Sequence, residues 1–313
     1  MAEELFVGID VGGTTVKEGL VNREGKILSK LSVPTPPLVD EAGYAAVIDG
    51  IKSLLDAQDG DVVLKGIGLA VPAPVPDDGD VKLIANASID LQGLGAALRD
   101  AFGGAAVAFV NDANAAALGE MWRGSALGHR SMALVTLGTG IGAGVVVDGK
   151  VIGGANGAGG EVGHTCVNPA EERVCGCGRH GCLEQYASAT GVVNTYKMEC
   201  EKRGTQPVEL AGPSDSKSVF DAYQAGDEAA AAAVDTMVEY LGLALANLAC
   251  TVDTEAIVLG GGLSAAGDLF LGKLVERFKH YTLSVCADTP IEIASLGNDA
   301  GLIGAAYAGL MEA

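Results

Sequence analysis

The chain has 313 residues, enough for two domains of ordinary size, and its 40 acidic against 20 basic residues leave a formal charge of −20. That charge repels a phosphate backbone over most of the surface, which argues against nucleic acid as a partner. The start, MAEELFVGID, lacks the basic segment and long apolar run of a secretory signal. The most membrane-like stretch, Ser131 to Val147, is 17 residues broken by four glycines, short of the roughly 20 apolar residues a spanning helix needs. A soluble cytoplasmic protein with no membrane partner is therefore expected.

In chain order, LFVGIDVGGTTVKEGLV (5–21) reads as an apolar strand, a Gly-Gly turn and a second strand running into a hairpin at Asn22 to Lys26. Strand follows turn, whereas a dinucleotide-binding βαβ unit needs its glycines to open a helix. Asp10 ends the first strand, where a carboxylate is costly without a partner such as hydrated Mg²⁺. Thr14 and Lys17 put a hydroxyl and a cation close by. After the Pro-rich VPTPPLVD come a helix at about Glu41 to Ala57 and a buried strand at Val63 to Leu69, an α/β alternation. Asn86 falls in a loop. A helix (Leu94 to Phe102) and a strand (Ala105 to Val110) follow, and the strand leads into Asn111-Asp112 at the lip of the next helix. Open α/β sheets place ligand contacts at such lips, although Asp112 in that position also suits a helix cap.

Residues 134–153, LVTLGTGIGAGVVVDGKVIG, repeat the opening plan of strand, Gly/Thr turn, strand and hairpin, which points to an internal duplication. Gly144 to Lys150 satisfies G-x4-G-K, but Val151 replaces the metal-binding hydroxyl and the intervening valines form a strand, so it is not a phosphate loop. The turn residues Thr139 and Gly140 are the phosphate candidates instead. Two long helices (Ala189 to Arg203, Asp227 to Thr251) lead to a strand at Ala256 to Leu259 and to Gly260-Gly261-Gly262-Leu263-Ser264. That glycine run serves either close ligand approach or a sharp turn. A helix (Asp268 to His280), a strand (Ile291 to Ala294) and a last helix (about Ala300 to Glu312) close the chain.

The densest chemistry lies between Gly159 and Glu184. Of seven cysteines, Cys175, Cys177 and Cys182 form a C-x-C-x4-C run, and His164 completes a Cys₃His set, the makeup of a closed structural zinc site. Such a site does no chemistry itself. It locks a loop, and Glu161 and Glu184 beside the ligands would be locked with it. The remaining cysteines read as small hydrophobes.

DVGGTTVK (10–17), VNDANAAALGE (110–120), LGTGIGAG (137–144), GGEVGH (159–164), CGCGRHGCLEQYAS (175–188) and GGGLS (260–264) together resemble the ROK family of sugar kinases, most closely its bacterial glucokinases. The resemblance implies an α/β protein of the actin-like, ribonuclease H-like, hexokinase-type ATPase fold, with two duplicated lobes around a cleft. The expected division is a small lobe of 1–111 with 298–313 and a large lobe of 112–297, the zinc element at 164–182 lying in the latter. It implies Asp112 as the catalytic base toward a sugar hydroxyl, expected to be O6 of glucose. Asn86, Asn111, Asp112, Glu161, His164 and Glu184 match sugar-binding positions, and His164 also matches a zinc position with Cys175, Cys177 and Cys182. Asp10, Gly12, Gly13, Thr14 and Lys17 match the first phosphate loop, Thr139 and Gly140 the second, and Gly261 and Gly262 the adenosine loop. ATP, Mg²⁺ and structural Zn²⁺ are the implied cofactors, and a homodimer or homotetramer the implied assembly.

Ala73 departs from the family's Pro-Gly turn, and ANASIDLQG lacks a Trp common after the Asn. Mannose, fructose, N-acetylglucosamine and N-acetylmannosamine therefore stay open as alternative substrates, and polyphosphate as an alternative donor. A non-catalytic sugar sensor is the competing reading. The family's repressors carry an N-terminal helix-turn-helix, for which a phosphate loop beginning at residue 10 leaves no room.

Overall fold

The computed structural model describes residues 2–75 and 89–313. In chain order the elements are β1 (Glu3–Val11), β2 (Thr15–Asn22), β3 (Ile27–Pro34), α1 (Glu41–Asp56), β4 (Val62–Val71), α2 (Leu91–Ala101), β5 (Ala106–Asn111), α3 (Asp112–Arg123), β6 (Met132–Leu137), β7 (Ile141–Val147) and β8 (Lys150–Val151). Then follow α4 (Glu184–Ala187), α5 (Ala189–Arg203), α6 (Ser216–Gln224), α7 (Glu228–Val252), β9 (Ala256–Gly260), α8 (Gly267–Tyr281), β10 (Ile291–Ile293) and α9 (Ala300–Glu312).

The first sheet has the order β3-β2-β1-β4-β5 and the second, read from its other edge, β8-β7-β6-β9-β10. In the first, β1 pairs antiparallel with β2 and parallel with β4, and β4 pairs parallel with β5. In the second, β9 lies parallel between β6 and β10. The two strand orders are the same, so the repeated strand-turn-strand pattern in the sequence reflects a duplicated sheet plan.

Two compact units emerge: residues 1–130, 144–159 and 295–313, and residues 131–143 and 160–294. This differs from the expected division, because α3 and the β7–β8 hairpin stay with the first unit. The reason is packing between α3 and α9 through small residues. A Cβ on Gly304 would stand 1.6 Å from the Ala115 carbonyl oxygen, so the two helices touch backbone to backbone. The rings of Trp122 and Tyr307 meet at the far end of the same contact, their centroids 5.0 Å apart and their planes tilted by 42°.

The core of the first unit is built by Leu5, Val7 and Ile9 of β1, Ile67 and Leu69 of β4, and Val47, Ile51 and Leu54 of α1. One carboxylate interrupts it. Glu18 of β2 is fully buried, and among the described residues neither oxygen has a hydrogen-bond partner. In the second unit, Met237, Leu241 and Leu245 of α7 are fully buried against Phe270, Leu274 and Phe278 of α8. By length and composition α7 is apolar enough to cross a membrane, a property the sequence reading assigned to no segment. Its burial within this cluster accounts for that composition.

Candidate active site

Asn111 and Asp112 sit where β5 gives way to α3. Asn111 is the helix cap: its Oδ1 accepts from the N–H groups of Ala113 and Asn114, at 3.0 and 3.3 Å, while its Nδ2 donates to the Ala73 carbonyl at 3.2 Å. Asp112 is thereby released from capping. Its Oδ1 accepts from the neighbouring Ala113 N–H, at 2.8 Å, and the residue is exposed. Desolvation by the surrounding protein raises its pKa and the charge of Asp10 raises it further, against the lowering effects of Ala113 N–H and Asn111. A carboxylate so placed is a better proton acceptor than an ordinary surface aspartate.

Asp10, near the end of β1, pairs with Lys17 of β2 at 3.0 Å, and Lys17 Nζ also donates to the Asn298 carbonyl. The turn between the strands is tied by Gly12 N–H to the Thr15 carbonyl and by Thr35 Oγ1 to the Gly12 carbonyl. A Cβ on Gly13 would meet nothing within 4 Å. Packing among the described residues therefore does not require glycine there.

In the second unit, Glu184 at the start of α4 joins the Gly/Thr turn to the cysteine cluster. Its Oε2 accepts from Ile141 N–H at 3.0 Å, and its Oε1 lies 3.8 Å from Cys175 Sγ. Gly140 has to be glycine for this, since a Cβ would come within 2.4 Å of Glu184 Oε2. Thr139 stands exposed at the tip. Behind it lies a cavity of about 320 Å³ lined by Thr139, Gly176, Glu184, Ser188, Gly191 and Asn194. The N-terminus of α5, capped by Ser188, contributes to its wall and favours an anionic occupant.

His164, Cys175, Cys177 and Cys182 converge, their donor atoms all lying within 4.8 Å of one another. Cys175 Sγ is 3.7 Å from His164 Nδ1, and Cys177 Sγ is 3.6 Å from Cys182 Sγ. Thiolates on a tetrahedral ion with bonds of ~2.3 Å stand roughly 3.7 Å apart, so the donor set fits zinc. The thiols differ in ease of ionisation. Arg179, through its backbone and side-chain hydrogen bonds, brings Cys177 down to about 6, while burial pushes Cys182 up to about 12. Three thiolates this close need a cation among them to ionise together. Arg179 also donates to the His164 carbonyl at 3.1 Å. Beneath the loop, Glu171 accepts from Arg173 and from Tyr186 Oη at 2.6 Å. Burial would raise its pKa, but Arg173 and Tyr186 outweigh this and hold it at about 2. Glu161, two residues from the buried Gly163, precedes the 3-10 turn Val162–His164, and its exposed side chain makes no cap hydrogen bond.

After β9, Gly261 (φ 82°) must be glycine for the chain's own sake, because a Cβ would sit 2.5 Å from the Leu137 carbonyl oxygen. A Cβ on Gly262, by contrast, would meet nothing within 4 Å among the described residues. It borders a cavity of about 410 Å³ whose other wall is Phe220, Asp221 and Gln224 of α6.

Among the residues singled out from sequence, the first unit brings together Asp10, Lys17, Asn111 and Asp112, with Gly12 to Thr14 in the turn between β1 and β2. The second unit brings together His164, the three cysteines, Glu184, Thr139 and Gly140. Asn86 lies outside the described residues. Sequence reasoning missed α6 altogether, along with Arg179, whose place inside the C-x-C-x4-C run was the available signal.

Duplicated five-stranded sheets, each with a glycine turn between its two lead strands, define an α/β protein of the actin-like ATPase fold, the fold of the ROK hexokinase structures it resembles. The chain belongs to the ROK family, which it matches over residues 6–310. It is 38% identical over 322 residues to the glucokinase of Halalkalibacterium halodurans, with 98% of this chain and 95% of that protein covered. The crystal structure of the ROK hexokinase from Thermus thermophilus aligns with a TM-score of 0.81 at 32% identity, over 98% of each chain. A ROK family glucokinase from Streptomyces griseus, solved with glucose and AMPPNP, aligns with a TM-score of 0.72 at 32% identity, over 97% of this chain and 98% of that one.

Proposed function

We propose that this chain is an ATP-dependent hexokinase that phosphorylates glucose at O6, with Asp112 as general base. The observation that carries the reading is the state of Asp112. The capping duty falls on Asn111, and desolvation raises the Asp112 carboxylate's pKa. As the sugar O6 attacks the γ-phosphorus in line, Asp112 takes its proton, so a higher carboxylate pKa increases the driving force for transfer. The glucokinase from Streptomyces griseus, with glucose and AMPPNP bound, supports the substrate pair.

The other residues divide by chemistry. The turns at Gly12 to Thr14 and at Thr139 to Gly140 offer backbone N–H groups to phosphate oxygens. Gly261 and Gly262, with the α6 wall, take the adenosine. Asp10 is the carboxylate that would hold Mg²⁺ through its water shell, and the ion would neutralise charge on the phosphates. Asn111, Glu161 and His164 read hydroxyls, and a buried hydrogen-bonding pair rejects an epimer that leaves it unmatched. Glu184 ties the sugar-reading loop to the phosphate turn through Ile141 N–H. Zinc would be held by His164, Cys175, Cys177 and Cys182 in a purely structural role. With Nδ1 turned to the thiols, His164 keeps Nε2 for a second partner. Family resemblance alone supports a cytoplasmic homo-oligomer.

The test is a panel of glucose, mannose, fructose, N-acetylglucosamine and N-acetylmannosamine, each with ATP and with polyphosphate, read by detection of the sugar phosphate. The highest kcat/KM is expected for glucose with ATP. A preference for an N-acetylated hexose, or no phosphorylation of any sugar, would overturn the reading.

A further inference from the structure

A cavity in the first unit plays no part in the site above. It has a volume of about 340 Å³ and lies at the C-terminal ends of α3 and α9, beside the β7–β8 hairpin. Its floor is the ring pair Trp122 and Tyr307, flanked by Met311, which is 56% exposed, and Leu127, 61% exposed. Large apolar side chains left this open around an aromatic pair suit a flat ligand ring.

The rim carries two bases. Arg130 and Lys150, with His129 beside them, line the cavity against the single acid Asp148, in a chain where acids outnumber bases by 40 to 20. Arg130 and Asp148 face each other at a long 3.9 Å, and among the described residues Lys150 has no ion-pair partner. The bases are held in place by backbone. Asp148 (φ 50°) and Gly149 (φ 78°) form a two-residue left-handed turn, the tightest hairpin connection, which sets Lys150 opposite Val147. Gly149 N–H donates to the Arg130 carbonyl at 2.7 Å, which fastens the hairpin beside the arginine.

We propose that this cavity is a second ligand site, for a small molecule that joins a flat ring to a phosphate, of the nucleoside monophosphate class. The ring stacks on Trp122 and Tyr307, and the phosphate meets Lys150 and Arg130. The volume is at the lower end for small-molecule sites, which run ~300–1,000 Å³, and so suits one nucleotide rather than a larger cofactor. The site does not rest on the kinase reading. Its position gives it leverage nonetheless: α3 begins at Asp112, and Gly301 near the start of α9 lies against Asp10. An occupant therefore touches the far ends of two helices whose near ends support both carboxylates.

Trp122 is the only tryptophan in the chain, so its emission reports directly on occupancy. The full-length protein is titrated with AMP, with adenosine (ring without phosphate) and with ribose 5-phosphate (phosphate without ring). A saturable change in Trp122 emission is expected with AMP, at an affinity about tenfold or more above either half. The exposed Lys150→Glu variant is expected to weaken AMP by about tenfold or more, with hexose turnover and melting temperature unchanged. The proposal fails if AMP gives no saturable change at millimolar concentration, if adenosine binds as well as AMP, or if Lys150→Glu leaves the titration unaltered.

Discussion

Replacing Glu18 with Leu is expected to stabilise the protein, and by an amount that depends on pH. Glu18 projects from β2 on the same face as Val16 and Leu20, and it sits opposite Ile9 and Leu31 on the flanking strands. Gly50 of α1 closes over it, and a Cβ there would fall 2.3 Å from Glu18 Oε2, so the helix is notched to admit the carboxyl. With no partner for either oxygen among the described residues, burial raises its pKa from 4.5 to about 8. Below pH 4.5 the folded and unfolded chains both hold the proton and its titration contributes nothing. As the pH rises the unfolded chain ionises while the folded one does not, so stability falls by about 1.4 kcal/mol per pH unit. The loss reaches about 3 kcal/mol at pH 7 and levels off above pH 8, where the folded group ionises too. Glu18→Leu removes this loss and also removes an unpaired buried polar group worth ~1–3 kcal/mol. The assay is the denaturant midpoint of wild type and variant from pH 5 to pH 9. A stability gain that does not grow with pH would refute the reasoning, because it would mean that Glu18 is ionised in the folded protein.

Two further outcomes follow from the site. Cys177→Ser should cost the protein its zinc, measured by elemental analysis, together with hexose-phosphorylating activity, since the ion fastens the loop that carries Glu161 and His164; full activity in zinc-free protein would refute this. Gly140→Ala puts a methyl 2.4 Å from Glu184 Oε2 and should push that carboxylate off Ile141 N–H. Activity should fall roughly ten- to a hundredfold in a protein that still folds and binds zinc, and unchanged kinetics would show that the bridge does not matter.

The parts of this protein legible in its sequence are those where a local rule acts alone. Strand, glycine turn, strand at 5–21 and 134–153 was readable because apolar runs end at turn residues, and the shared sheet order bears out the duplication. The Cys₃His set was readable because soft ligands rarely cluster by accident, and the four donors do converge. Three other features were hidden because they depend on partners distant in sequence. Glu18 lies in KEGLV, where nothing local says that the notch at Gly50 will receive it. Glu184 reads as a sugar ligand, and nothing local says that its Oε2 also accepts from the Ile141 N–H, 43 residues earlier in the chain. Helix α6 follows a Gly-, Pro- and Ser-rich stretch and mixes Lys217, Asp221 and Gln224 with few apolar residues, so its pattern was weak. The compact units divide the chain elsewhere than the expected lobes for the same reason: nothing local in α3 says that Gly304 will meet Ala115.

The most direct test of the central claim is Asp112→Asn, which keeps the shape of the side chain at the start of α3 and removes its basicity. The account predicts a kcat lower by about 10²–10⁴ with hexose KM close to wild type, because the lost interaction belongs to proton transfer rather than to sugar binding. Turnover near that of the wild type would contradict it.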